Sequence, residues 1–577
     1  MVKLFEYMKP YIGMLLLALA LLFVQAMCDL ALPDYMSDLV NTGVMTGNTA
    51  YILKTGGKML IVTFVGAAAS IIMGYFAAMI AASVSRDLRS DVFRKVENFS
   101  NAEFDKFSTA SLITRTTNDI TQIQTLLVML IRMVFYAPIL GIGGIIKALS
   151  ESTSMTWVIG VAVICLVGVI AVLFSIAMPK FKIVQDLIDR LNLVTRENLD
   201  GMLVIRAFNT QKFEQKRFDK ANKDLTDVNL FVNRAMAVMM PAMMLILNLT
   251  TVIIVWVGSK QVSSFEMDIG TMMAYMQYAM QIIMSFLILS MMFIMVPRAA
   301  VSANRIAEVL DTEESVFEPE EPSYFEGVIN PTVEFKNVSF HYPGGEGDVL
   351  NNISFISKSG QTTAIIGSTG SGKSTLVSLI MRFYDVTKGE ILVGGKNIKN
   401  VRKKDLRDKI GYVPQKSILF SGTIKSNLFY ADKNTTMENV EKAASVAQAT
   451  EFISSKEDGY DSAIAQGGTN VSGGQKQRLS IARALVKNAP IYIFDDSFSA
   501  LDLKTDSKLR EALKKETGKS TILLVAQRVS TIMNAEQIIV LDNGEIAGIG
   551  THRELLKTCD VYDQIARSQL SEEELLR

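Results

Sequence analysis

The stretch TTAIIGSTGSGKSTLVSLI, Thr362 to Ile380, joins a β-branched apolar run to a glycine-rich turn and then to a helical apolar run. A GxxxxGK[ST] pattern set between strand and helix is the context in which that spacing binds phosphate. Gly367, Gly370 and Gly372 let backbone amides turn inward around phosphate oxygens at a helix N-terminus, and Ser368, Thr369, Ser371 and Thr375 complete the loop. Lys373 reaches the outer phosphates and the Ser374 hydroxyl can ligate Mg²⁺. Downstream, IYIFDD sets Asp495 at the end of an apolar run, where it can hold the metal through water or, more plainly, cap a turn.

Runs such as VEFKNVSFHY, EILVGG and STILLVA alternate with helical stretches around this loop, the pattern of an α/β domain with a largely parallel sheet over about 332–577. Before it, DTEESVFEPEEPSYFEG is acidic, carries Pro319 and Pro322 and has no apolar period, which predicts a linker over 311–331. Everything upstream differs in character. Of 577 residues, 49% are hydrophobic, and the excess falls in the first 300 or so, so the chain divides into a membrane half and a soluble half.

A bilayer core about 30 Å thick needs roughly 20 apolar helical residues. Six such runs lie near 11–32, 59–82, 126–149, 156–178, 236–258 and 269–296, within a membrane domain of 1–310. Pro241 should bend the fifth, and Gly141, Gly143 and Gly144 allow close helix contact in the third. The opening MVKLFEYMKPY resembles a secretory signal, but the apolar run behind it is too long and lacks a clear cleavage site, so it reads as a retained first span.

Basic residues set the orientation. The segment 85–125 carries Arg86, Arg89, Arg94, Lys95, Lys106 and Arg115, and 179–234 carries eleven more Lys or Arg, which places both segments and both termini in the cytoplasm. These segments are charged, poor in Gly and Pro, and periodic, so spans two to five should extend as helices into the cytoplasm. Short turns near 103–114 and 205–213 would then be contact points for the soluble domain. Lys plus Arg and Asp plus Glu both total 58, so no global field favours nucleic acid. Cys28, Cys165 and Cys559 are isolated and match neither a disulfide framework nor a metal site.

The segment VSGGQKQRLSIARAL, Val471 to Leu485, is in physical terms a serine and two glycines opening a helix, a possible anion site. It resembles the signature sequence of the ATP-binding cassette (ABC) family, and the whole chain resembles a half-transporter of the type I exporter class. The motifs recur in family order: Tyr342, GSTGSGKST, Gln415 in YVPQ, VSGGQ, FDD, and SALD ending at Asp502. The resemblance implies that Tyr342 stacks on adenine and that Gln415 touches the Mg²⁺ and links nucleotide state to the helix tips. It also implies a two-cassette sandwich in which Ser472, Gly473, Gly474 and Gln475 complete the partner's ATP site.

Two positions depart from the family pattern. Asp496 stands where the family has a general-base glutamate, and Gln527 where it has a histidine contacting the γ-phosphate. Aspartate is one methylene shorter and glutamine cannot carry positive charge. The expectation is a heterodimer in which this chain contributes an impaired ATP site and an intact signature, its partner half supplying the glutamate and the histidine. The rival is a slow homodimer.

For the cargo, methionines are dense in the fifth and sixth runs (Met239, Met240, Met243, Met244, Met272, Met273, Met276, Met280, Met284), with Gln277, Gln281 and Ser285 on one face. Asp29, Arg132 and Lys147 are ionisable residues in or near apolar runs. Met243, Met276, Met280, Gln277, Gln281, Asp29 and Arg132 are therefore candidate cavity residues, although helix-packing methionine and a snorkelling Lys147 would look the same. Export of hydrophobic or amphipathic compounds is the leading expectation. Lipid or small-peptide export, siderophore import and nucleotide sensing are the alternatives; with no peptidase segment before Met1, a processing peptide exporter is disfavoured. The expected location is a bacterial plasma membrane.

Overall fold

A computed structural model describes residues 6–325, 327, 329–499 and 501–575. The first lysine of the amino-terminal segment, Lys3, two linker positions (326 and 328) and Ala500 of SALD lie outside the described residues. The chain forms two compact units, one of residues up to Glu97 plus Ala110–Asp311, the other of Asn98–Thr109 plus Thr312 onwards.

In the first unit, six helices are long and apolar enough to cross a membrane. They contain α1 (Ile12–Asp38), α2 (Thr49–Asn98), the third span Thr109–Glu151 interrupted by two wider turns at Arg115–Asp119 and Leu130–Val134, and a fourth helix Thr156–Asp200. The fifth span joins Gln211–Ala237 to Met239–Ser263, and the sixth lies in Ile269–Asp311. At about 1.5 Å per residue, the 50 residues of α2 span some 75 Å, more than twice a bilayer core. The helices therefore project beyond any membrane, as their charged, glycine-poor ends require.

The fifth span is interrupted for one residue at Val238, whose φ of −69° and ψ of −24° stay helical, three positions before Pro241, whose ring lacks the N–H that would reach the Ala237 carbonyl. The expected tip turns are short helices, α3 (Asn101–Lys106) and Met202–Ala207. Ser100 and Glu103 form a capping box that starts α3.

The glycines of the third span meet side chains directly: a Cβ at Gly141 would stand 2.7 Å from Ser285 Oγ, and one at Gly143 2.4 Å from Leu30 Cδ1. Several cavity candidates change status. Met243 is 2% exposed and packs with Leu166 and Ile283, so it is helix packing. Ser285 is buried, donates to the Ile282 carbonyl and abuts Gly141, so it is packed between helices and not open to a guest. Lys147 pairs with Asp34 at 2.6 Å rather than snorkelling alone. Met280 and Arg132 are exposed, while Met276, Gln277, Gln281 and Asp29 are half-buried. All three cysteines are free.

The second unit has two sheets. A four-stranded antiparallel sheet runs β2-β1-β4-β5, from β1 (Val333–Phe340), β2 (Leu350–Ser357), β4 (Lys388–Val393) and β5 (Lys396–Asn397). A six-stranded sheet runs β12-β11-β3-β10-β9-β6, from β3 (Thr362–Gly367), β6 (Ile410–Val413), β9 (Ile491–Asp495), β10 (Thr521–Val525), β11 (Gln537–Asp542) and β12 (Glu545–Gly550). A small pair, β7 (Gly422–Thr423) and β8 (Ala463–Ile464), completes the set. Only β12 is antiparallel in the larger sheet, and β9 is buried along its whole length, the mark of a parallel core strand.

Candidate nucleotide-binding site

Parallel register builds the site. Val525 of β10 pairs with both Ile365 of β3 and Asp495 of β9, and Val413 of β6 pairs with Phe494. The carboxyl ends of four strands therefore finish at one edge, which brings residues some 160 positions apart in sequence beside the loop of Gly367–Lys373. Ligands in open α/β sheets bind at this edge.

Gly370 and Gly372 hold φ of +87° and +95°, and a Cβ at Gly367 would collide with the Leu541 carbonyl at 2.1 Å, so the loop's path depends on glycine at these positions. Helix α4 (Lys373–Ile380) begins directly behind it. Lys373 Nζ donates to the carbonyls of Gly367 (2.9 Å) and Ser368 (2.6 Å). Desolvation pushes its pKa down, against the pull of Asp496 and Asp495. Ser371 is buried, and the Thr375 hydroxyl lies 2.9 Å from that of Tyr342, so Thr375 is engaged by a side chain. Tyr342 is half-buried and packs edge-on against Phe340 and Tyr384, at 4.9 and 5.2 Å between centroids.

Ser374 Oγ donates to Asp495 Oδ1 at 3.0 Å. Burial first, then repulsion from Asp496, raises the pKa of Asp495, while burial also raises that of Asp496. A hydroxyl and a buried carboxylate under electrostatic strain are hard oxygen ligands with negative charge to spare, a donor set that fits Mg²⁺. That strain leads to a prediction. Asp495→Asn keeps the acceptor for Ser374 and removes one of two crowded charges, so in nucleotide-free protein at neutral pH the melting temperature should rise by a few degrees while Mg²⁺-dependent ATP binding is lost. Calorimetry with and without Mg-ATP checks both; a lower melting temperature would mean that Asp495 is compensated.

Asp496 sits at φ +46°, a left-handed conformation uncommon outside glycine, and its Oδ2 accepts from Gln527 Nε2 at 2.8 Å and from Gln415 Nε2 at 3.4 Å. The two departing residues thus touch each other, and Gln415 joins them instead of Ser374. The signature residues open helix α5 (Gly473–Val486): Ser472 and Gln475 form a reciprocal capping box, with Gly474 in the first turn. Around Gly473 a Cβ would meet nothing within 4 Å. Asp502 caps α6 (Leu503–Glu516), accepting from the Thr505 N–H at 2.9 Å.

Sequence reasoning missed three neighbours. Arg528 donates to the Ser499 carbonyl at 3.2 Å. Gln569, at the end of α7 (Asp560–Gln569), donates to the Gln527 carbonyl at 2.9 Å and accepts from the Val529 N–H at 2.8 Å, so a residue more than forty positions downstream braces the loop carrying Gln527. Tyr384, whose hydroxyl donates to Asp105 on α3 at 2.7 Å, packs on Tyr342. Burial first and that bond second raise the Tyr384 pKa. None of the three lies in a motif, and no local signal would have singled them out.

Comparison with known proteins agrees with this geometry. Residues 15–286 match the model of the ABC transporter transmembrane region, and 350–499 that of the ABC transporter family. An uncharacterized ABC transporter ATP-binding protein of Mycobacterium tuberculosis is 40% identical over 98% of this chain and 97% of its own. An ATP-dependent lipid A-core flippase of Pseudomonas fluorescens is 32% identical over 99% and 96%. A solved bacterial Atm1-family ABC exporter with ATP bound superposes with a TM-score of 0.79 at 25% identity, over 98% of this chain and 99% of that one. The chain therefore belongs to the ABC transporter family: it is a multi-pass exporter half-transporter whose cassette binds ATP and couples its hydrolysis to transport.

Proposed function

We propose that this chain is one half of a heterodimeric exporter of hydrophobic or amphipathic compounds, and that its own Mg-ATP site turns over slowly while its signature completes a competent site on the partner. The observation that carries the reading is the Gln527–Asp496 contact of 2.8 Å: where a general base must face water, a short carboxylate is held by a neutral amide. In the proposed site Lys373, Ser374, Gln415 and Asp495 hold the phosphates and metal, and Tyr342 supports the base. Ser472–Gln475 serve the partner's nucleotide, and Asp502 lies beside the junction. The partner half supplies glutamate and histidine at the two departing positions.

The second cytoplasmic tip supports a covering partner, since Leu203, Val204, Phe208 and Phe213 are 82%, 60%, 75% and 66% exposed there. We place the protein in a bacterial plasma membrane with both termini cytoplasmic, on the basic charge of segments 85–125 and 179–234. A lipid cargo is the second reading, favoured by the lipid A-core flippases among the relatives.

The test is steady-state ATPase of this chain alone, of the pair, and of the pair with the partner's glutamate changed to glutamine. Activity confined to the pair and abolished by the partner change supports the asymmetric reading. Brisk turnover by this chain alone overturns it.

A further inference from the structure

Within the membrane unit two carboxylates of α1 are treated differently. Asp34 is neutralised: Lys147 lies 2.6 Å away and the Tyr278 hydroxyl donates to the other oxygen. Asp29, one and a half turns earlier, has no cation beside it among the described residues. Its Oδ2 accepts from the Tyr136 hydroxyl at 2.6 Å, which leaves Oδ1 without a hydrogen bond among the described residues. An unpaired carboxylate facing the interior of a membrane bundle is costly and marks a site that something else completes.

The atoms around it are acceptors too. Gln281 Nε2 donates to the Asp29 backbone carbonyl at 2.9 Å, which anchors the amide beside the carboxylate, while its Oε1 is buried with no partner. Gln25 precedes Asp29 by four residues on the same helix face, and its Oε1 is likewise buried and unpartnered. Buried acceptors are normally paired, so two unpaired amide oxygens, one on a side chain anchored to the Asp29 carbonyl and one a helical turn before Asp29, call for a donor together with the free carboxylate oxygen. Tyr136 and Gln281 lie near the middle of their apolar runs, and the walls are apolar: Ala26, Leu30, Met276 and Ile282 pack in one cluster.

We infer that Gln25, Asp29 and Gln281 form a binding site for the primary ammonium group of an amphipathic cargo, whose apolar body lies against the methionine and aliphatic walls. An alkylammonium carries one positive charge and three N–H donors, which matches one carboxylate oxygen and two amide oxygens. A hard metal cation would need six or more oxygens, which these groups do not supply. The inference rests on the proposed export of amphipathic compounds and specifies the head group.

The test uses inside-out membrane vesicles carrying the full-length chain with its partner, and two probes: dansylcadaverine and its N-acetyl derivative, which share a fluorophore and a chain and differ in the ammonium. ATP-driven accumulation should favour the amine in the unmodified protein. Asp29→Asn, which keeps an acceptor for Tyr136, should lower the amine-to-amide rate ratio about tenfold. Gln281→Leu should lower it several-fold through the KM for the amine, and Tyr136→Phe should preserve or raise it. A ratio unchanged in Asp29→Asn and Gln281→Leu, or an equal loss for both probes, overturns the ammonium site. Unmodified protein that accumulates both probes alike overturns the site and leaves amphipath export standing; accumulation of neither overturns both.

Discussion

Replacing Asp496 by Glu and Gln527 by His together should raise the ATPase rate of this chain, purified alone, by about a hundredfold. The longer carboxylate advances by roughly the length of one methylene, and misplacement on that scale costs a catalytic group on the order of a hundredfold. The imidazole adds a donor that can carry charge toward the γ-phosphate. Because Asp496 and Gln527 are in contact at 2.8 Å, the effects should not add. Asp496→Glu by itself drives its carboxylate toward the Gln527 amide, so the double change should exceed the product of the two single ones. A homodimer of the doubly changed chain has its own intact signature, so nothing else need be supplied. Steady-state phosphate release at saturating Mg-ATP reads the result, and an unchanged rate would mean that these two residues do not set the slow step.

The second large effect is expected at the other end of the chain's contribution. Gly473→Asp should reduce hydrolysis by the assembled pair at least a hundredfold, while photolabelling of this chain's own Lys373 loop by an azido-ATP stays within about twofold. A Cβ at this position meets no atom within 4 Å, and a carboxylate in the first turn of α5 favours the helix, so the fold should be retained. In the proposed sandwich its charge would face the γ-phosphate of the partner's nucleotide. Two like charges some 4 Å apart repel by about 4 kcal/mol at an effective dielectric near 20, and each 1.4 kcal/mol is tenfold. Undiminished hydrolysis would show that the helix does not close on the hydrolysing site. Together the two substitutions assign opposite roles to two parts of one cassette: repair at Asp496 and Gln527 adds activity, and damage at Gly473 removes the partner's.

Much of this was legible in the linear sequence, for physical reasons. A span of the bilayer demands some twenty apolar residues in a row, so six helices could be counted without coordinates, and charge at their ends gave their extensions beyond the apolar runs. Phosphate binding demands glycines at fixed spacing between a strand and a helix, so Gly367, Gly370, Gly372 and Lys373 announced themselves. The two departures at Asp496 and Gln527 were visible as well, because motif positions are defined by sequence order.

Contacts between distant segments were not. Register between β9 and β10 decided that Asp496 and Gln527 touch, and only the packing of α7 brought Gln569 to the loop carrying Gln527. Methionine density suggested a cavity, yet Met243 packs in a helix interface and Ser285 is spent against Gly141, because which face of an apolar helix meets a neighbour is not written in its composition. Asp29 and Asp34 lie five positions apart and look alike as letters. Their different fates follow from what α1 meets: a lysine beside Asp34, and at Asp29 the Tyr136 hydroxyl and the Gln281 amide, with no cation paired to it among the described residues. Local pattern fixes secondary structure and loop chemistry, since both depend on neighbours in the chain; charge compensation depends on neighbours in space, and that only the tertiary structure decided.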